Sequence, residues 1–143
     1  MMTKSTVDGG CSRRLMMRFI GLSLIFLPKL ALSLVLVTAD DQGRKFFLDP
    51  EAMHRKGYIV YIWAVQRNPQ PDNLGVWVVR SQREFDCRLR RSRTMWLTSY
   101  ADQEEAGSPI QSGPIPNPEW AAVEADAVMT SLLDQACRMI MQR

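Results

Sequence analysis

The sequence predicts an α+β fold, a sheet of about five to six strands with a C-terminal α-helix packed on one face. Three observations predict it. From Leu34 onward, short runs rich in β-branched and aromatic residues alternate with turn chemistry. Only the last segment carries a helical period of apolar residues. And 143 residues, 46% hydrophobic and 23% charged, have the size and balance of one packed domain plus an extra segment.

The extra segment lies at the N-terminus. Arg13, Arg14 and Arg18 precede an apolar run from Phe19 to Leu27, which Pro28 and Lys29 close. Ala31 and Ser33 then stand at the −3 and −1 positions of a cut after Ser33. A basic start, a short apolar stretch, a helix breaker and small residues together form a secretory signal peptide, expected over 1–33 and followed by one domain over 34–143. The alternative is an uncleaved anchor running on through Leu30–Val37; a start at Met16 or Met17 would remove the question of a twin-arginine signal altogether. "SRRLMMR" matches a twin-arginine signal only loosely.

Cleavage changes the character of the protein. The full chain has a net charge of +3; removing Lys4, Arg13, Arg14, Arg18 and Lys29 together with Asp8 leaves −1. A basic nucleic-acid binder is thereby disfavoured. Cys11 leaves with the leader, so Cys87 and Cys137 become one possible pair in an oxidising compartment.

The domain opens with "LVLVT", a reversal through "ADDQG" in which Asp40 and Asp41 serve the turn, and "RKFFLD". These predict a hairpin. "PEAMHRKG", 50–57, reads as a helical turn or loop, with Pro50 suited to a first helical position. "YIVYIWAVQ" is β-branched and aromatic, hence a strand. "RNPQPDNLG" is a loop, and "VWVVRSQREFDC" and "RLRRSRTMWLTSYAD" are two further strands. "QEEAGSPIQSGPIPNPE" holds too much Pro, Gly and Ser for a helix or a central strand.

The helix is expected from Ala127 with Asp126 as its N-cap. Val128, Met129, Leu132, Leu133, Ala136, Met139 and Ile140 fall on one arc, and Cys137 sits at its margin. Along the strand 76–87, Trp77, Val79, Phe85 and Cys87 share a face where a docked helix would lie. A Cys87–Cys137 bond would tie helix to sheet and is worth roughly 4 kcal/mol on the chain-entropy estimate; two buried free thiols are the alternative.

In order, "LVLVTADDQGRKFFLD" ending at Asp49, "YIVYIWAVQ", "REFDCRLRRSR" and "PEWAAVEADAVMTSLLDQAC" resemble the surface-adhesin protein E family over about residues 33–138. No single motif is specific; the ordered set carries the resemblance. It implies an antiparallel sheet with the C-terminal helix tethered across one face through Cys87 and Cys137. It also implies a self-associating outer-surface adhesin that binds host extracellular-matrix and serum proteins such as laminin and vitronectin. The chain lacks an evident lipid-attachment cysteine, since Cys11 precedes the apolar run.

Chemistry is sparse. The lone histidine, His54, has Glu51 nearby in sequence but no nucleophile, and reads as a surface residue. One His and two Cys make no zinc set, no phosphate loop or nucleophile elbow occurs, and neither enzyme activity nor a cofactor is expected. Two features remain as candidate binding residues. In "RLRRSR", Arg88 and Arg90 are expected to point one way and Arg91 and Arg93 the other, with Glu84 and Asp86 able to pair with them. A solvated strand or edge is the plainer reading of that cluster. In the aromatic strand both faces are apolar, and Tyr61 and Trp63 lie on the side shared with Ile59 and Val65. One helix covers one face; the proline-rich segment 109–118, a second subunit, a ligand or folded-back loops must cover the other.

The expected function is that of an exported envelope protein, periplasmic or on the outer surface, acting as a binding module. A protein partner and a homodimer are expected, with no nucleic acid and no membrane contact beyond the export signal. The alternatives are a periplasmic structural or envelope-maintenance domain and a carrier of a small apolar ligand.

Overall fold

The computed structural model describes residues 33–143. The expected leader, with Cys11 and the Phe19–Leu27 run, thus lies outside the described residues save for Ser33. Seven antiparallel strands and one helix follow: β1 (Val35–Ala39), β2 (Lys45–Lys56), β3 (Ile59–Arg67), β4 (Val78–Asp86), β5 (Arg91–Tyr100), β6 (Gln111–Pro114), β7 (Ala121–Ala122) and α1 (Ala127–Met141). The strands lie in sequence order from β1 to β6, each beside its predecessor, and β7 joins the outer edge of β5 next to β6.

Asp40 builds the first reversal: its Oδ1 accepts the backbone N–H groups of Gln42 (3.0 Å) and Arg44 (2.9 Å), and Gly43 supplies the positive φ of 77°. The expected helical turn or loop at 50–57 is not there. β2 continues through it to Lys56, paying out extra residues against β3: Asp49 pairs with Trp63, and pairing resumes at His54 opposite Tyr61. Pro50 sits at this interruption, where its missing N–H costs no ladder bond, and the detour drops Met53 into the core. Gly57, at φ 61°, then turns the chain into β3.

The proline-rich segment forms the short edge strand β6 rather than a lid, pairing Gln111 to Ser99 and Pro114 to Trp96. The edge is where a strand containing proline can sit.

The helix begins as expected. Asp126 Oδ1 accepts the Met129 N–H at 2.9 Å, and Leu132, Leu133 and Ala136 are buried. They pack on Phe46 and Leu48 of β2, Val60, Ile62 and Ala64 of β3, and Phe85 of β4, with Val123 sealing one side. Cys137 is bonded to Cys87, with Cα atoms 5.8 Å apart, closing the helix onto the turn that follows β4.

Candidate binding face

The face opposite α1 is built by the alternation of the strands. Trp63 and Tyr61 on β3 stand across from Gln82 and Glu84 on β4, and these across from Trp96 and Arg93 on β5. Asp49 of β2 flanks Trp63. The apolar surface foreseen on this side is therefore interleaved with charge.

Two clusters organise it. In the first, Trp120, carried in by the residues before β7, lies under two guanidinium groups, with Arg91 Cζ 4.7 Å and Arg93 Cζ 4.5 Å from its ring centroid. Each arginine also holds a buried carboxylate: Arg93 pairs with Glu84 at 2.7 Å and Arg91 with Asp86 at 3.2 Å. Glu84 and Asp86 are only 5% and 4% exposed, so these are buried carboxylates that need ion pairing and hydrogen bonding to be tolerable. Burial works to raise the Asp86 pKa, but the Leu89 and Arg88 N–H groups and the Arg91 guanidinium outweigh it and hold the carboxyl below its usual range.

The second cluster surrounds Arg80, whose Cζ lies 5.9 Å from the Trp63 ring centroid. Arg80 reaches Asp49 at 3.5 Å and Glu105 at 3.1 Å, and Glu105 also holds Arg67 at 3.1 Å. Glu105 takes a positive φ of 57°, which a non-glycine residue adopts at some cost; here it aims one carboxylate at two arginines. Between the clusters, Trp96 is 36% exposed and donates its Nε1–H to Thr98 and Ser112, while Tyr61 stacks on His54 with ring centroids 4.6 Å apart.

Of the six candidate residues, this face gathers four: Tyr61, Trp63, Arg91 and Arg93. The other two lie elsewhere. Arg90 turns toward the helix, pairing with Asp134 at 2.8 Å and Glu124 at 3.5 Å, and Arg88 lies over Tyr58 at 5.0 Å. The expected strand through 88–90 is not there: residues 87–90 form a turn, with Arg90 at a φ of 48°. The turn, and not strand alternation, separates Arg88 and Arg90 from Arg91 and Arg93, while Glu84 and Asp86 do pair with the latter two. Sequence reasoning missed Trp120, Arg80 and Glu105. Arg80 could have been found from the alternation of β4; nothing in the sequence places Glu105 beside arginines 25 and 38 residues away.

Among the described residues no helix is long and apolar enough to cross a membrane, and no three His, Cys, Asp or Glu side chains group as a metal site.

A meander sealed on one side by a cross-linked helix, with arginines and tryptophans paired across the other, is the build of a small domain that meets partners over a face. The match to known proteins is more particular: residues 34–138 fit the family model of surface-adhesin protein E, and the chain belongs to that family of adhesin-like, exported, cell-surface proteins. Among solved structures it is similar to protein E from non-typeable Haemophilus influenzae, at 12% identity and a TM-score of 0.49, covering 73% of this chain and 72% of that one. No curated protein matches it.

Proposed function

We propose that this protein binds a protein partner, of the host extracellular-matrix or serum kind, through the face opposite α1, and that it performs no catalysis. The observation that supports this reading most directly is the row Trp63, Trp96, Trp120, Arg91 and Arg93 on one surface, since Trp, Tyr and Arg carry most of the energy at protein interfaces. The arginines are already held by Glu84 and Asp86, so the row is rigid before a partner arrives and little side-chain entropy is lost on docking. A leader removed in export and a site on the outer surface, rather than in the periplasm, belong to the same reading.

The experiment is to pass the protein recovered from cells over immobilised laminin and vitronectin. Saturable binding that falls at least tenfold in Trp120→Ala, with the melting curve kept cooperative, supports the reading. Absence of saturable binding to either ligand tells against adhesion. A self-associating protein whose dimer is broken by the same substitution would assign the face to a second copy instead; native mass spectrometry distinguishes the two.

A further inference from the structure

Seven arginines in the domain are not fully exposed: Arg44, Arg67, Arg80, Arg83, Arg90, Arg91 and Arg93. Six of them form ion pairs with Asp or Glu. Arg83 does not, among the described residues. Its Nε donates to Ser81 Oγ at 3.1 Å, an interaction that uses one of the five N–H donors of a guanidinium. The nearest opposite charge acting on it is Asp126, whose Oδ1 is already engaged as the N-cap of α1.

Arg83 projects from the helix side of β4, the side opposite Arg80, Arg91 and Arg93. There it lines a cleft of about 150 Å³ between the sheet and the start of α1, whose walls include Phe46, Ala64, Val79, Leu97, Met129 and Leu132. Every other residue in that wall is neutral, so Arg83 is the sole charge on an otherwise mostly apolar cleft. Burial lowers the pKa of its guanidinium, and Asp126 offsets this only in part. Arginine nonetheless stays charged at neutral pH, because its ordinary pKa lies far above that range.

Arg83 also borders a neighbouring cleft that holds Asp126 and Glu119, but neither carboxylate forms an ion pair with it. A cation without a direct salt bridge beside an apolar hollow suits a guest with two parts. The anionic part must be small and planar enough to accept two parallel N–H bonds, as a carboxylate does. The apolar part must fit a hollow of the size that takes a benzene-sized molecule in other proteins. From this juxtaposition we infer that the cleft under the start of α1 is a binding site for a small monocarboxylate bearing an apolar group of about six carbons, aliphatic or aromatic. The site lies on the other side of the sheet from the face assigned to protein partners, and does not rest on that assignment.

The test compares matched probes on the protein recovered from cells. Hexanoate and phenylacetate are titrated against hexanamide and phenylacetamide, with affinity read by calorimetry and location read by backbone amide chemical shifts. The carboxylates are expected to bind saturably, to shift Ala64, Val79, Leu97 and Met129, and to exceed their amides by at least about tenfold, the worth of one charge-assisted bond. Arg83→Met should abolish that preference and Arg83→Lys retain part of it, while Val79→Phe, which fills the hollow, should weaken acid and amide alike. Equal affinity of acid and amide, shifts elsewhere on the protein, or no saturable response from either carboxylate would overturn the inference. The wild-type acid–amide comparison decides it even if every variant fails to fold.

Discussion

On the helix side of the sheet, Leu48 and Phe85 reach 0% exposure by packing against other apolar groups; on the opposite side, Asp49, Glu84 and Asp86 reach 3%, 5% and 4% while paired with arginines. The same strands carry both populations, on alternate residues. The apolar side gains roughly 25 cal/mol for each Å² removed from water. The charged side gives up hydration and recovers it through arginine pairing, a trade that often nets close to zero. The helix-side face therefore supplies the main core, and the other, where Val65 and Val78 are also buried, adds a smaller apolar share to a surface held in shape by ion pairs.

That contrast can be broken or sharpened by substitution. The largest effect is expected from Cys87→Ser with Cys137→Ser, which should lower stability by about 4 kcal/mol in urea unfolding, since the bond closes a separation of 50 residues. A loss below about 1 kcal/mol would mean that the helix stays seated by packing alone. Leu132→Ala, which empties a 1% exposed position under the helix, should cost about 3 kcal/mol by the same measurement. By contrast, replacing Glu84 and Arg93 together with Leu and Met should cost about 1 kcal/mol or less, because no charge is then left unpaired. If that pair cost as much as Leu132→Ala, the division of labour between the faces would fail.

The smallest effect is a pH dependence. The folded Asp86 carboxyl titrates below its usual range, so its stabilisation is complete above the ordinary Asp value of about 3.9 and is lost as pH falls through the lowered folded value. Asp86→Asn should therefore unfold at a lower urea midpoint than wild type at pH 7, and the gap should narrow at pH 3. A gap unchanged between the two would remove Asp86 from the acid response.

Local pattern made much of this legible. The period of Val128 to Ile140 and the cap at Asp126 marked the helix, and period-two alternation in 76–87 put Phe85 and Cys87 on the side that faces it, whereas alternation in 58–66 separated two apolar faces without choosing between them. The segment 50–57 misled, because Pro50 and Gly57 carry turn chemistry although the chain there detours within a strand and then reverses. Propensity reports the backbone preference of a few residues, whereas the detour is enforced by burying Met53. Half of the binding face was visible for the same reason: Tyr61, Trp63, Arg91 and Arg93 sit on strands whose alternation can be counted. Trp120 and Glu105 come from irregular segments, whose placement depends on contacts distant in sequence.

The sulfur bridge has a consequence for survival under proteolysis. It makes β5, β6, β7 and the first two-thirds of α1 part of a covalent ring closed by Cys87 and Cys137. Residues 106–112, exposed and carrying Gly107 and Pro109, offer a protease its most open stretch of that ring. A single nick there opens the circle but frees no fragment: both new ends remain joined through sulfur, and the strands on either side keep their ladder partners.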